Sequence, residues 1–201
     1  MIPASTENIT GLVLAGGRGS RMGGIDKGLV LLDGQPMVAR VLERLSPQVG
    51  PILISANRSV EQYARFCRPV VPDRLPGFAG PLAGLEAGLA ACATPYLATA
   101  PCDSPFLPPD LVPRLADALS AERASVAVAR TGDRLHPVFA LMHSFVLPDL
   151  QAFTRAGGRR MELWLRRLKW VACPFDDAPD AFVNINTADE LRAHQAGDAP
   201  R

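Results

Sequence analysis

The sequence predicts an α/β fold, a single domain built on a doubly wound, mostly parallel sheet. Short apolar runs, typical of strands buried on both faces, alternate along the chain with segments whose apolar residues recur at helical spacing. This alternation favours a parallel sheet with helices on both faces. The 201 residues, 48% of them hydrophobic, are enough to bury one complete core.

Strands are predicted from short runs of apolar residues. These segments are 12–14, 52–54, 70–71, 96–99, 125–129 and 169–173. A further strand is predicted at 183–186, where Asn184 and Asn186 alternate with two apolar residues and therefore lie on one side.

Helices are predicted between these strands, and proline, glycine and capping signals mark their ends. Capping boxes that start at Ser59 and Thr187 each open a helix, and Pro81 and Pro109 suit first helical positions. Gly157 is a typical helix stop. The predicted helices are 37–45, between two prolines, 59–66, 81–89, 109–120, 145–156, 161–168 and 187–195.

A glycine-rich loop after the first strand is the strongest functional signal. Five glycines let the backbone approach a ligand closely and turn successive N–H groups toward phosphate oxygens. Arg18, Arg21 and Lys27 add positive charge around a polyphosphate. A P-loop is excluded because Lys27 precedes Gly28, and the G-x-G-x-x-G fingerprint fails because its third glycine falls on Met22.

Polar residues follow the other predicted parallel strands at the same end. Ser55 follows the second strand, Asp73 the third and Asp103 the fourth. Since ligands of such sheets bind beyond the carboxyl ends of the strands, we expect these residues and the loop to share one site.

Asp103 is the candidate metal ligand. It follows an apolar strand directly, and Mg²⁺ is usually held by one or two carboxylates together with substrate phosphates. The alternative is an aspartate that shapes a proline-rich turn or caps a helix. Its convergence with the glycine-rich loop favours the metal site.

Composition excludes several other functions. A formal net charge of +1 gives no overall field for nucleic acid or an anionic membrane. Four scattered cysteines without a C-x-x-C pair, and only three histidines, suggest neither a zinc site nor a disulfide framework. The first ten residues lack a signal-peptide pattern, and no apolar run could cross a bilayer, so a cytoplasmic enzyme is expected.

The run LVLAGGRGSRMGGIDKGLVLLDGQPM resembles the molybdenum cofactor guanylyltransferases, which have a Rossmann-like nucleotidyltransferase fold. The similarity continues in order through VVPDRLPGFAGPLAGL, ATAPCDSPFLPPDL, RLHPVFAL and FVNINTADEL, which together span most of the chain. The resemblance implies transfer of GMP from GTP to the terminal phosphate of molybdenum-molybdopterin, with release of pyrophosphate. It also implies transient contacts with molybdopterin-loading and molybdoenzyme-maturation proteins.

The resemblance assigns roles to individual residues. It places Mg²⁺, or Mn²⁺ as a substitute, on Asp103, and sets Lys27 and Arg21 against the charge that builds on pyrophosphate. The residues implied in nucleotide binding are Leu14, Ala15, Gly16, Gly17, Lys27, Ser55, Asp73 and Asp103. Ser55 stands where family members often have asparagine.

The division of the domain also follows from the resemblance. It implies a nucleotide-binding part at about 8–110 and a pterin-side part at about 111–196. His136 and Pro137 would lie toward the pterin, although a core histidine is equally compatible, and the same choice is open for Asn184 and Asn186.

Three alternatives remain at this point. A molybdopterin cytidylyltransferase would be expected to show L-A-A-G, whereas this chain has Leu14 to Gly17 as L-A-G-G. A sugar-phosphate nucleotidyltransferase shares the loop but fits the later blocks less well. A nucleotide-binding regulator without turnover would not need both Lys27 and Asp103.

Overall fold

A computed structural model describes residues 5–15, 26–73, 80–185 and Glu190. The strands of this part of the chain are β1 (Ile9–Leu14), β2 (Leu31–Leu32), β3 (Gln35–Pro36), β4 (Ile52–Ser55), β5 (Val70–Val71), β6 (Tyr96–Pro101), β7 (Val126–Thr131), β8 (Arg134–His143) and β9 (Trp170–Pro174). Its α-helices are α1 (Met37–Leu45), α2 (Val60–Ala64), α3 (Pro81–Ala91), α4 (Leu111–Ala121), α5 (Leu147–Arg155) and α6 (Met161–Leu165). No helix among these residues is long and apolar enough to span a membrane.

Seven strands form one mostly parallel sheet, and β2 and β3 pair as a separate small hairpin. The order across the sheet is β5-β4-β1-β6-β8-β7-β9, with only β8 antiparallel to its neighbours. Leu14 is aligned with Ser55 on one side and with Pro101 on the other, and Ser55 is aligned with Val71. The carboxyl ends of β1, β4, β5 and β6 therefore meet at one edge, as predicted.

Helices cover both faces of the sheet, which confirms the doubly wound prediction. On one face, α1 and α4 bury side chains such as Val41 and Leu115 against Val13 and Ile54. On the other, α3, α5 and α6 pack against Leu12 of β1 and against Val126 and Val128 of β7. Consecutive residues of a strand point to opposite faces, and because helices cover both faces of the sheet, all six residues of β1 are buried.

Two glycines allow α3 to lie close to the sheet. A Cβ atom on Gly84 would lie 2.6 Å from Ser55 Oγ, and one on Gly88 would lie 2.3 Å from a methyl carbon of Leu12. Side chains at these positions would therefore push α3 away from β1 and β4. The helix begins with Pro81 in its first turn, as predicted.

Some element boundaries differ from the sequence predictions. Ser59 does not cap α2 through its side chain, because its left-handed backbone (φ 51°) departs from the extended geometry that a capping residue needs. Pro109 also lies outside its predicted helix: α4 starts at Leu111, after a turn in which the Leu111 N–H donates to the Pro108 carbonyl.

Two further differences concern strands. The antiparallel β8 was not predicted; Pro137 interrupts its pattern and lies where the register with β7 shifts. The strand predicted at 183–186 is not formed at 183–185, where the backbone makes isolated hydrogen bonds and does not pair with a neighbouring strand. Asn186 and the predicted terminal helix, apart from Glu190, lie outside the described residues.

Candidate functional site

The candidate site lies at the carboxyl edge of the sheet, where the ends of four parallel strands are aligned. Of the residues predicted for it, Leu14, Ala15, Lys27, Ser55, Asp73 and Asp103 are described. Gly16, Gly17, Arg18 and Arg21 lie outside the described residues. The Ala15 N–H donates to the Ser55 carbonyl at 2.8 Å, so the backbone where the glycine-rich segment begins is held by β4.

Lys27 and Asp103 form the charged pair of the site. Lys27 Nζ donates to Asp103 Oδ2 at 3.3 Å, although 76 residues separate them in sequence. Their side chains are 23% and 13% exposed, so a ligand could reach both while much of the surrounding water is excluded. Partial burial of this kind strengthens the attraction of Lys27 to an anionic ligand group and of Asp103 to a cation.

The backbone around Asp103 is fixed from two sides. The Cys102 N–H donates to the Leu14 carbonyl at 3.0 Å, and this bond continues the pairing of β1 and β6. On the other side, the Ile185 N–H donates to the Asp103 carbonyl at 2.9 Å, and Ser104 Oγ donates to Asn184 Oδ1 at 2.6 Å. Asn184 thus lies beside the site as part of a hydrogen-bond network.

Burial raises the pKa of the Cys102 thiol well above its ordinary value, and the neighbouring Asp103 carboxylate raises it further. The thiol is therefore protonated at neutral pH and is a poor nucleophile. Cys102 contributes packing next to Asp103.

A second group of polar side chains surrounds Asp73. Asn57 Nδ2 donates to Asp73 Oδ2 at 2.6 Å, and the Asp73 N–H donates to Asn57 Oδ1 at 2.7 Å. Ser55 Oγ makes a longer contact of 3.5 Å with Asp73 Oδ1. Asn57 was not predicted as a site residue, yet it makes the shorter hydrogen bonds that orient Asp73.

Asp26 and Tyr63 form a third contact beside Lys27. The buried Tyr63 hydroxyl donates to Asp26 Oδ1 at 2.5 Å. Burial is the main cause that raises the Tyr63 pKa far above its ordinary value, with Cys102 and the Asp26 carboxylate adding to the effect. The phenol therefore stays protonated and acts as a donor.

His136 has the environment of a core histidine. It is 7% exposed, its Nε2 is 2.8 Å from Thr131 Oγ1, and its ring stacks on Phe182 with centroids 4.7 Å apart. Burial, followed by the nearby Arg134 charge, lowers its pKa, so the imidazole is neutral at neutral pH. Pro137 lies in the adjacent irregularity of β8.

The carboxylate at this edge of the sheet suits a divalent cation that takes its other ligands from the phosphates of a substrate. Asp103 supplies a carboxylate at the site, and the described residues contain no group of three histidine, cysteine, aspartate or glutamate side chains that could enclose a metal ion. One carboxylate completed by phosphate oxygens is a usual arrangement for Mg²⁺.

Comparison with known proteins identifies close relatives. Residues 11–171 match the family model of the MobA-like NTP transferase domain. The molybdenum cofactor guanylyltransferase of Cupriavidus pinatubonensis is 55% identical over 196 residues, which cover 95% of this chain and 98% of the relative. The protein of the same name from Bordetella pertussis is 50% identical, with 94% and 98% covered.

Solved structures agree with these matches. The chain superposes on molybdopterin-guanine dinucleotide biosynthesis protein A from Archaeoglobus fulgidus with a TM-score of 0.79 and 25% identity, covering 94% of this chain and 98% of the other. It shares only its fold with 4-diphosphocytidyl-2C-methyl-D-erythritol synthase from Anaerococcus prevotii, with a TM-score of 0.75, 10% identity and 98% of each chain covered.

Proposed function

Since this chain belongs to the MobA-like NTP transferase family, we propose that it transfers GMP from GTP to the terminal phosphate of molybdenum-molybdopterin. The products are molybdopterin guanine dinucleotide cofactor and pyrophosphate. Relatives named molybdenum cofactor guanylyltransferase, which are 50 to 55% identical over nearly the whole chain, support this proposal. The observation that carries it is the pairing of Lys27 with Asp103 at the edge where four parallel strands end.

The proposed reaction is a displacement at phosphorus. An oxygen of the molybdopterin phosphate attacks the α-phosphorus of GTP, and a new phosphoanhydride bond forms. The bond from the α-phosphorus to the oxygen that bridges it to the β-phosphate breaks, and pyrophosphate leaves with the electron pair. Because the attacking phosphate is already anionic, alignment and charge neutralisation are the main requirements.

Lys27 and Asp103 meet these requirements in different ways. When GTP binds, Lys27 would exchange its contact with Asp103 for the phosphates and oppose the negative charge that builds on pyrophosphate, with Arg21 assisting. Asp103 would hold Mg²⁺, or Mn²⁺ in its place, together with the substrate phosphates. When bound there, the metal ion supplies neutralisation of phosphate charge and polarisation of the α-phosphate.

The remaining predicted residues position the nucleotide. In the proposal, the backbone from Leu14 through Ala15 to Gly16 and Gly17 contacts the phosphates, as the glycine-rich composition indicates. Asp73 lies toward the ribose or base. Ser55 supports Asp73 through the contact of its hydroxyl, because its own side chain is fully buried against Gly84 of α3.

The pterin substrate is assigned to the other part of the same domain. We place nucleotide binding at about 8–110 and the pterin side at about 111–196. Asn184, in the proposed pterin-side part, lies next to the site, because it contacts Ser104 beside the proposed metal ligand. We further propose transient contacts with molybdopterin-loading and molybdoenzyme-maturation proteins, and a cytoplasmic setting in which the four free thiols stay reduced.

The test is a transfer assay with Mg²⁺, molybdate-loaded molybdopterin and each of the four nucleoside triphosphates, which measures pyrophosphate and the dinucleotide product. GTP is expected to be the best substrate. Lys27→Ala should lower turnover by about a hundredfold or more, because one fixed charge at a transferring phosphate is removed. The matched control is Lys169→Ala, since Lys169 is exposed and precedes β9 at the opposite edge.

Equal or faster turnover with CTP would replace the guanylyltransferase proposal with a cytidylyltransferase. Near wild-type turnover of Lys27→Ala would show that Lys27 does not contribute to the reaction. Tight nucleotide binding without any product would favour the nucleotide-binding regulator.

A further inference from the structure

We propose that Tyr63 is a positioning residue that holds the turn carrying Lys27 in place for the transfer reaction. The proposal rests on the function proposed above, and it concerns how the fold fixes Lys27 relative to Asp103. Three observations carry it: the contact of Tyr63 with Asp26, the close seating of Gly28 on Tyr63, and the shared neighbour Cys102.

The turn at Lys27–Leu29 has little internal support. It is a single 3-10 turn in which the Leu29 N–H donates to the Asp26 carbonyl at 3.0 Å and the Val30 N–H donates to the Lys27 carbonyl at 3.1 Å. Asp26 precedes it in an extended conformation, and its carboxylate makes no capping hydrogen bond to the turn. One isolated turn is marginal without tertiary contacts.

Tyr63 supplies such a contact from a distant element. It lies on α2, 37 residues away from Asp26, and its ring is fully buried in the same core as α1. Its hydroxyl reaches the Asp26 carboxylate at 2.5 Å, and a hydrogen bond to a charged acceptor is stronger than one between neutral groups. The buried ring thus anchors the residue that precedes Lys27.

The absence of a side chain at Gly28 lets the turn pack directly against this hydroxyl. A Cβ atom at position 28 would lie 2.5 Å from the Tyr63 oxygen and 3.1 Å from the Cβ and Sγ atoms of Cys102. Cys102 is the residue before Asp103. Gly28 is therefore close to both the Tyr63 hydroxyl and Cys102, so the turn that carries Lys27 packs on this hydroxyl beside the segment that carries Asp103.

The first experiment compares Tyr63→Phe with Tyr96→Phe. Both changes remove one hydroxyl and keep the ring, but Tyr96 lies at the start of β6, at the opposite edge of the sheet. Guanylyl transfer by Tyr63→Phe should fall about tenfold to a hundredfold in kcat, because a displaced charge no longer meets the transition state. KM for GTP should change much less, since Lys27 acts mainly on charge that builds during reaction. Tyr96→Phe should retain wild-type kcat and KM.

A second measurement does not depend on catalysis. Amide hydrogen exchange at Leu29 and Val30, followed by NMR, should become faster in Tyr63→Phe and stay unchanged in Tyr96→Phe. If the wild type transferred no GMP, the proposed function would fail, and this measurement would still decide whether Tyr63 holds the turn.

Variants of Asp26 provide an independent route if Tyr63→Phe folds poorly. Asp26→Ala removes the acceptor and should reproduce the loss of kcat. Asp26→Asn keeps a carbonyl acceptor for the Tyr63 hydroxyl and should retain most of the turnover. Unchanged exchange at Leu29 and Val30 in Tyr63→Phe would overturn the proposal, and so would faster exchange with an unchanged kcat.

Discussion

Asp103 has two interactions to satisfy with one carboxylate. In the described structure it accepts a hydrogen bond from Lys27 at 3.3 Å, and in the proposed reaction it also holds a divalent cation. These roles are compatible, because the lysine can turn to the phosphates when the cation arrives with the nucleotide. Asp103 is therefore expected to matter more for turnover than for folding.

Asp103→Asn should lower kcat by about a hundredfold or more, since a neutral amide is a poor ligand for Mg²⁺ and the α-phosphate loses polarisation. High Mg²⁺ or Mn²⁺ should restore part of the activity. The melting temperature without ligands should stay nearly unchanged, because asparagine keeps the shape of the side chain and its carbonyl oxygen can still accept a hydrogen bond from Lys27. Steady-state kinetics across a metal titration, together with thermal unfolding, provide the measurement.

The matched control is Asp177→Asn, which also removes an aspartate charge paired with a basic side chain, Arg114, but on an exposed turn. It should leave the metal dependence of turnover unaltered. A marked fall in the melting temperature of Asp103→Asn, with a wild-type metal dependence, would make Asp103 a structural turn residue.

At this scale, the sequence predicted which polar and charged side chains come together where the parallel strands end, and their roles in the reaction stay predictions. Lys27, Ser55, Asp73 and Asp103 each stand at the end of an apolar run or in a glycine-rich loop. Their supporting residues were missed, because their partners are set by tertiary geometry. Asn57 lies 16 residues from Asp73, and nothing in its neighbourhood distinguishes it from an ordinary loop asparagine.

At the scale of elements, the helical spacing of apolar residues predicted α1 and α3, and continuous apolar runs predicted most strands of the sheet, because helices cover both faces of these strands. These signals failed for β8, where Pro137 coincides with a shift in pairing and interrupts the apolar pattern. The cap predicted at Ser59 failed for a different reason, since a local motif cannot reveal that the backbone takes a left-handed conformation there. Tertiary packing decides both cases.

Hydrogen bonds to Asp149 connect α5 with α6 and the residues that follow it, and their contribution to stability can be measured. Asp149, in the first turn of α5, accepts a hydrogen bond from the indole N–H of the buried Trp164 at 3.0 Å and from Arg167 Nη2 at 2.9 Å. Asp149→Ala should lower the free energy of unfolding by about 1 to 2 kcal/mol, because the buried indole loses its acceptor. Urea unfolding at pH 7 measures this change.

The effect should depend on pH in a defined direction. The hydrogen bond from Arg167, and then that from Trp164, lowers the pKa of Asp149. A lowered carboxyl pKa in the folded state stabilises the protein above the ordinary value of about 3.9, and this contribution is lost as the pH falls through the lowered folded value. The difference between wild type and Asp149→Ala should therefore shrink below about pH 4.

Asp177→Ala is the control for this comparison, since Asp177 also binds an arginine through both carboxylate oxygens but lies on the surface. Its stability should stay close to that of the wild type, because exposed ion pairs contribute little. An equal loss in both variants would show that the arginine contacts, rather than the buried indole, carry the effect.

For the whole molecule, one sheet joins the proposed nucleotide-binding part, at about 8–110, to the proposed pterin-side part, at about 111–196. Strand β6 of the first part pairs with β8 of the second over four residue pairs. Gln48, between α1 and β4, accepts a hydrogen bond from the Val112 N–H of α4 at 2.8 Å. On the opposite face, Thr154 of α5 donates to the buried Glu86 of α3 at 2.8 Å. Separating the two parts would expose the buried side chains that pack on both faces of β6.

We therefore expect the two parts to unfold together, and the positions of the aromatic residues allow a direct test. Both tyrosines, Tyr63 and Tyr96, belong to the first part, and both tryptophans, Trp164 and Trp170, belong to the second. Tyrosine second-derivative absorbance and tryptophan fluorescence should give coincident midpoints in urea, as cooperative unfolding requires. Separate midpoints would contradict the single domain and place a boundary near residue 110. Coincident midpoints that rise equally with GTP would show that nucleotide binding to the first part stabilises the second through the shared sheet.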